Sequence, residues 1–156
     1  MNKNHIIIII LVIIIVALIA LISAPFIFND QKDDVVIYNN TIDDVGSFNT
    51  VNVTNFTLDD EDSDGEQTFY LANDTITQVS LYSRTSLMEN TIADSDRVND
   101  SPEGHTIYKT TANMGAHKGE VRYITYLTDN EKERHIQISS PDYNLTCMMV
   151  DSFKMF

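Results

Sequence analysis

The sequence predicts an α+β protein built from an N-terminal transmembrane helix, a mostly antiparallel sheet of five or six strands, and a C-terminal helix that covers the sheet. One long apolar run, Ile6–Phe28, predicts the membrane helix. Alternating apolar and polar residues in several later segments predict strands. Apolar residues at helical spacing after Tyr143 predict the closing helix.

The first element, Ile6–Phe28, is interrupted only by Ser23 and Pro25. As a helix it would span about 34 Å, more than the bilayer core of about 30 Å. Its many Ile and Val residues favour strands in water, but in lipid a helix satisfies the backbone amides internally. Because Lys3 precedes the run and acidic residues follow it, the positive-inside rule predicts a single-pass protein of the cell membrane. The N-terminus is then cytoplasmic and the rest of the chain lies outside.

A cleaved signal peptide is the alternative interpretation of this segment. The basic start, the apolar centre and the small residues Ser23 and Ala24 fit such a peptide. Ile22 is large for the position three residues before the cut, and Pro25 after the cut is a poor substrate for the peptidase. No cysteine lies near this boundary, which excludes a lipoprotein modification. We therefore expect residues 1–28 to be retained as an anchor or uncleaved signal.

Charge restricts the partners of the exported part. The chain has 23 acidic and 10 basic residues, a formal net charge of −13. This balance argues against binding to nucleic acid or to anionic headgroups, which need basic patches. It fits cations, basic partners or simple solubility.

Cys147 is the only cysteine, so the exported domain has no internal disulfide. Its fold must depend on packing alone, or on packing with a bound ion. The apolar neighbours Leu145, Met148 and Met149 predict a buried, unreactive thiol, with an intermolecular disulfide as the alternative.

Six N-x-S/T sequons are present, all after the apolar run. Their positions fit surface glycosylation in a cell that has the enzymes, although a chain rich in Asn, Ser and Thr also forms sequons by chance. The sequon asparagines are Asn39, Asn52, Asn55, Asn73, Asn99 and Asn144.

Residues 29–47 are predicted to form a polar tether that could include one strand. Residues 48–156 are predicted to form an extracytoplasmic α+β domain. Alternation over Val51–Leu58 shifts by one residue, as at a β-bulge. The segments 67–72 and 75–82 predict two strands joined by a tight turn at Asn73-Asp74.

The middle of the domain is less regular. Ser86 and Glu89 have the spacing of a capping box, which predicts a short helix. A turn at Ser101–Gly104 precedes a predicted strand at 105–111.

The clearest hairpin has its arms at 121–127 and 134–139, with alternating apolar residues in both arms. Ser140-Pro141-Asp142 ends the second arm. A closing helix is then expected to pack one apolar stripe on the sheet, although a stripe rich in methionine also suits a binding surface. The stripe consists of Leu145, Met148, Met149, Phe153 and Phe156.

The stretches HTIYKTT, HKGEVRYITYL, HIQISSPDYNLT and DSFKMF resemble those of small membrane-anchored exported proteins of methanogenic archaea. The isoleucine-rich anchor and the body rich in Asn and Asp are similar as well. This resemblance implies location more than activity. The order of strands, final hairpin, Ser-Pro-Asp break and closing helix also resembles the Mog1/PsbP-type fold, which implies binding or assembly more often than catalysis.

One local motif points to a cofactor. The segment 60–65 reads Asp-Glu-Asp-Ser-Asp-Gly, so Asp60, Asp62 and Asp64 match the first half of a calcium loop. Position twelve is Leu71, where an EF-hand needs a bidentate Glu, so a complete site would need a carboxylate from elsewhere. An acidic, solvated hairpin loop is the alternative, and no other cofactor is expected.

Catalytic patterns are lacking in the sequence. His105, His117 and His135 are too widely spaced for a zinc signature, and HExxH, CxxC and GxSxG do not occur. The sequence therefore favours a non-enzymatic domain that binds a protein, an envelope polymer or a small ligand outside the membrane. An accessory or structural subunit of a membrane or envelope complex is the alternative, and a divergent hydrolase has no motif to support it.

Overall fold

A computed structural model describes residues 35–61, 63–112 and 117–156. They form two antiparallel sheets and two α-helices, so the predicted α+β class is confirmed. The predicted anchor lies outside the described residues. Within the described part of the chain, neither helix combines the length and apolar character needed to cross a membrane.

The strands and helices follow one another along the chain in a fixed order. The elements are β1 (Ile37–Ile42), β2 (Gly46–Val51), β3 (Thr57–Leu58), β4 (Gln67–Leu71), β5 (Gln78–Tyr82), α1 (Thr85–Ala93), β6 (Asp96–Arg97), β7 (Tyr108–Thr111), β8 (Val121–Asp129), β9 (Arg134–Ser140), α2 (Tyr143–Asp151) and β10 (Lys154–Met155). One sheet has the strand order β1-β2-β10, and the other has the order β3-β4-β5-β9-β8-β7-β6. All of these neighbouring strands are antiparallel.

The strand count differs from the single sheet of five or six strands that the sequence predicts. Three of the additional strands, β3, β6 and β10, are two residues long, which is too short to show alternation. The remaining difference comes from the predicted tether. Residues 37–47 contain β1 and the start of β2, and Ile42 and Val45 are buried in the core. The folded domain therefore begins earlier than the predicted boundary at residue 48.

Helix α2 connects the two sheets. It packs against β2 of the smaller sheet and against β8 and β9 of the larger sheet. The Asp142 side chain caps its N-terminus by accepting a 2.9 Å hydrogen bond from the backbone N–H of Leu145. The residues that α2 buries are Thr146, Cys147, Met149 and Val150.

The predicted stripe on this helix is only partly correct. Met149 is fully buried, but Phe156 lies beyond the helix and is 56% exposed. Phe153 also follows the helix, and its ring stacks on Phe48 with centroids 5.6 Å apart. The helix ends at Asp151, so helical spacing does not govern the last residues.

The predicted capping box on α1 is wrong. The N-cap residue is Arg84, and no side chain caps this helix end. No residue of α1 is buried, because the helix lies on the surface beside β5 and β9.

The core between the sheets surrounds Phe48, which also meets Phe56 edge to face at a centroid distance of 4.9 Å. Gly46 allows the backbone of Lys154 and the ring of Phe153 to lie close against β2. A Cβ atom there would lie 2.5 Å from the carbonyl oxygen of Lys154 and 2.7 Å from the Phe153 ring. The pairing of β10 with β2 therefore requires glycine at position 46.

Polar contacts join the two sheets at the β8–β9 loop. The Asp129 carboxylate accepts hydrogen bonds from the N–H groups of Glu131 and Lys132 and from the Arg134 side chain, at 3.0 to 3.2 Å. Arg134 and Lys132 also donate to the carbonyl oxygen of Asp44, in the turn between β1 and β2. Burial raises the pKa of Asp129, but these hydrogen bonds and the Arg134 charge outweigh it, so the pKa lies below its ordinary value.

We expect Gly46→Ala to lower the free energy of unfolding by about 1–3 kcal/mol, because the new methyl group must displace backbone of β10. Urea unfolding followed by circular dichroism measures the change. Gly65→Ala is the control, since nothing lies within 4 Å of a Cβ atom at that position. Equal stability of the two variants would contradict the requirement for glycine at position 46.

We expect Asp129→Asn to reduce stability at neutral pH and to lose this difference from wild type on acidification. A lowered folded-state pKa stabilises the fold above the ordinary aspartate pKa, about 4, and this contribution disappears as the pH falls through the folded value. Urea midpoints between pH 2 and pH 7 measure the effect. Glu131→Gln, an exposed change in the same loop, should follow wild type throughout, and an Asp129→Asn difference independent of pH would refute the ionic role.

Candidate functional site

A cleft of about 610 Å³ lies between the loop at residues 100–103 and the outer face of α2. Its lining combines carboxylates with an apolar floor. The lining residues are Asp100, Ser101, Pro102, Glu103, Tyr143, Asn144, Cys147, Met148, Asp151 and Ser152. The sequence predicts the turn at Ser101–Gly104 and the helix, but not that they form the two walls of one cleft.

Ser101 fixes the loop to the end of α2. Its hydroxyl donates to the Asp151 carboxylate and accepts a 3.0 Å hydrogen bond from the backbone N–H of His105. The backbone of the turn closes through a Gly104 N–H to Ser101 carbonyl bond of 2.9 Å, and Gly104 adopts a φ of 90° that favours glycine. Ser101 is buried, so this wall of the cleft is built into the fold.

Tyr143 joins the loop to the first turn of α2. Its phenol donates to the backbone carbonyls of Asn99 and Asp100, at 3.3 and 3.0 Å. A hydrogen bond with Cys147, together with burial, raises the pKa of Tyr143 above its ordinary value. The phenol therefore remains protonated and acts as a hydrogen-bond donor.

Cys147 lies in the floor of the cleft and is only 6% exposed. Burial raises the pKa of its thiol, and the hydrogen bond with Tyr143 offsets this only in part. The prediction of a buried thiol is confirmed. A protonated, buried thiol is suited to packing and is poorly suited to nucleophilic attack.

The carboxylates of the cleft differ in how far they are neutralised. Arg97 forms an ion pair with Asp100 at 3.0 Å, and the Asp151 carboxylate accepts a hydrogen bond from the Ser101 hydroxyl. Glu103 is exposed and forms no ion pair among the described residues. The cleft therefore offers negative charge to a ligand chiefly through Glu103.

The loop that the sequence predicts as a calcium site is described in part. Asp60 is exposed, and Asp62 lies outside the described residues. The Asp64 carboxylate accepts two 2.7 Å hydrogen bonds, from the N–H groups of Glu66 and Gln67, and both lower its pKa. Among the described residues no group of three His, Cys, Asp or Glu side chains is placed to hold a metal ion.

Each of the three histidines considered above has a separate environment. His117 contacts Glu120 at 3.1 Å, and His135 contacts the hydroxyl of Thr85 at 2.9 Å. His105 lies beside Ser101 through its backbone. Since they do not meet, they form no joint site.

A second, smaller depression of about 370 Å³ lies where α1 begins and the β8–β9 loop ends. Its lining includes Asp129, Arg134 and His135. Asp129 and Arg134 already form the hydrogen bonds that join the two sheets. We therefore assign this depression to the packing of the fold and not to a ligand.

Two tyrosines lie together on one face of the larger sheet. The hydroxyls of Tyr82 and Tyr126 both donate to the side-chain oxygen of Gln137, at 3.2 and 2.7 Å. Burial raises the pKa of both phenols, so they stay protonated. This network satisfies buried polar groups and holds the strands in register.

The structure places all six sequon asparagines on the surface. Asn144 lines the cleft and Asn99 lies next to it, whereas Asn52, Asn55 and Asn73 lie near the β1–β2 hairpin and the loops that follow it. Their accessibility agrees with the predicted glycosylation, which stays a prediction.

Comparisons with protein-family models, with curated proteins and with solved structures find no match for this chain. The resemblances described from the sequence stretches therefore stay predictions.

We expect Asp64→Ala to lower the melting temperature in the presence of EDTA, because two backbone N–H groups lose their acceptor. Asp64→Asn retains an acceptor oxygen and should melt closer to wild type. Equal melting of Asp64→Ala and wild type would exclude this structural role.

The same melting experiment with added calcium tests the predicted metal loop. Bound calcium would raise the melting temperature of wild type, and Asp62→Ala would abolish the rise. A melting temperature unaffected by calcium, or an equal rise in Asp62→Ala, would reject the calcium site.

Proposed function

We propose that this protein is a membrane-anchored, extracytoplasmic binding module whose cleft accepts a positively charged group. The observation that carries the proposal is the cleft between the loop at 100–103 and α2, where carboxylates rim an apolar floor. Such a combination suits a cationic side chain with an aliphatic stem, because the stem packs on Met148 while the charge meets Glu103.

The geometry supports binding better than chemistry. The residues of the cleft with reactive side chains are Cys147, Tyr143 and Ser101. The first two have raised pKa values, and the Ser101 hydroxyl donates to a carboxylate on α2. The buried Ser101 hydroxyl is held between the Asp151 carboxylate and the His105 backbone N–H, which suits a support for the loop.

The net charge of −13 supports the same class of partner. A strongly acidic protein attracts basic ligands at a distance and repels anionic ones. The attraction should weaken with salt, because exposed charges are screened beyond about 10 Å at 0.1 M ionic strength.

We expect the full-length protein in detergent to bind a lysine-rich peptide, and Glu103→Gln to weaken that binding by about two- to fivefold. Fluorescence anisotropy of a labelled peptide measures the dissociation constant. Glu89→Gln, which removes another exposed charge, on α1, is the matched control and should bind as wild type. Equal loss in both variants would show a general charge effect and would contradict the assignment to the cleft.

Crosslinking in intact cells, followed by purification and mass spectrometry, identifies the natural partner. Recovery of an exported protein with a basic segment crosslinked near the cleft supports the binding module. Recovery of a membrane protein crosslinked elsewhere would instead favour an accessory subunit of a membrane complex.

A further inference from the structure

The most exposed apolar segment of the described surface lies at the start of β1. Val35, Val36, Ile37 and Tyr38 are consecutive, and their side chains are 67%, 44%, 61% and 38% exposed. We name these four residues the apolar strip. Among the described residues β1 pairs with β2 alone and is an edge strand. The strip therefore presents apolar side chains on both faces of this edge.

The β1–β2 hairpin carries no charged residue outside its turn. Between Val35 and Leu58 the only charged residues are Asp43 and Asp44, in the turn between β1 and β2. The antiparallel register pairs Ile42 with Gly46 next to this turn, and Ile37 with Val51 at the far end of the hairpin. The strip therefore lies at the end of the hairpin away from Asp43 and Asp44. This low density of charge contrasts with the net charge of −13 of the whole chain.

The strip follows closely after the predicted anchor in the sequence. Only residues 29–34 separate Phe28 from Val35. Six extended residues reach at most about 20 Å. The polar layer of one leaflet is about 5–8 Å thick, so this length keeps the strip near the bilayer surface if the anchor spans the membrane.

We propose that the apolar strip rests on the outer surface of the bilayer and orients the domain on it. This inference depends on the anchor in the proposed function. Tyr38 suits the interface because its ring is apolar and its hydroxyl is polar. Asp33 and Asp34 precede the strip, and their carboxylates limit the contact to the headgroup level.

A second copy of the chain is a less suitable occupant. Antiparallel pairing of two β1 edges would bring Asp43 and Asp44 of one copy towards the start of β1 in the other. In sequence, Asp33 and Asp34 come just before that start, so like charges would oppose the pairing.

Single tryptophan reporters test the contact, because the chain has no natural tryptophan. Val36→Trp is introduced into the full-length protein, which is reconstituted in phosphatidylcholine nanodiscs whose acyl chains carry bromine near the headgroup. Ile37→Trp provides a second reporter in the strip. Leu58→Trp is the control, since Leu58 is 48% exposed on the short edge strand β3 of the other sheet.

We expect bromine to quench the reporters at 36 and 37 at least twofold more than the reporter at 58. Equal, weak quenching at all three positions in loaded nanodiscs would overturn the membrane contact and leave the anchor intact. Failure of the protein to enter nanodiscs would reject the anchor, and the contact with it. Protection of the reporter at 36 from both bromine and aqueous iodide, increasing with protein per disc, would assign the strip to a second copy and overturn the proposal.

Discussion

The packing of α2 against both sheets is the constraint on which the rest of the described domain depends. Its inner residues Met149 and Val150 fill the core, whereas Met148 and Asp151 on its outer side line the cleft. Because one helix serves both purposes, the position of the cleft is set by the same contacts that stabilise the fold. The chain after α2 then forms β10, which pairs with β2 and closes the smaller sheet.

The junction between β9 and α2 is fixed by buried hydroxyls. Ser140 and Thr146 share a 2.9 Å hydrogen bond, and Thr146 also donates to the backbone carbonyl of Tyr123 on β8 at 3.2 Å. With the Asp142 cap, these contacts determine the angle at which the helix leaves the sheet. Small polar residues that look unremarkable in the sequence therefore set the direction of the helix.

Charge is distributed unevenly over this acidic domain. Carboxylates rim the cleft and occupy the loops, whereas the β1–β2 hairpin carries only the two aspartates of its turn. The most exposed apolar segment of the described surface, at positions 35–38, lies at the end of this hairpin away from its acidic turn. The proposed membrane-attached binding module would place one surface at the bilayer interface and leave another available to ligands in water.

The sequence by itself determined the elements whose signals are local. Alternation located β8 and β9, helical spacing and the Ser-Pro-Asp break located the start of α2, and the apolar neighbours of Cys147 predicted its burial. Tertiary structure decided what depends on contacts between distant residues. The two-residue strands exist only because a partner strand lies beside them, and residues 37–47 fold because Val45 and Phe48 enter a core completed by α2. The cleft likewise required Ser101 to meet Asp151, fifty positions away, and no periodic pattern records such a pairing.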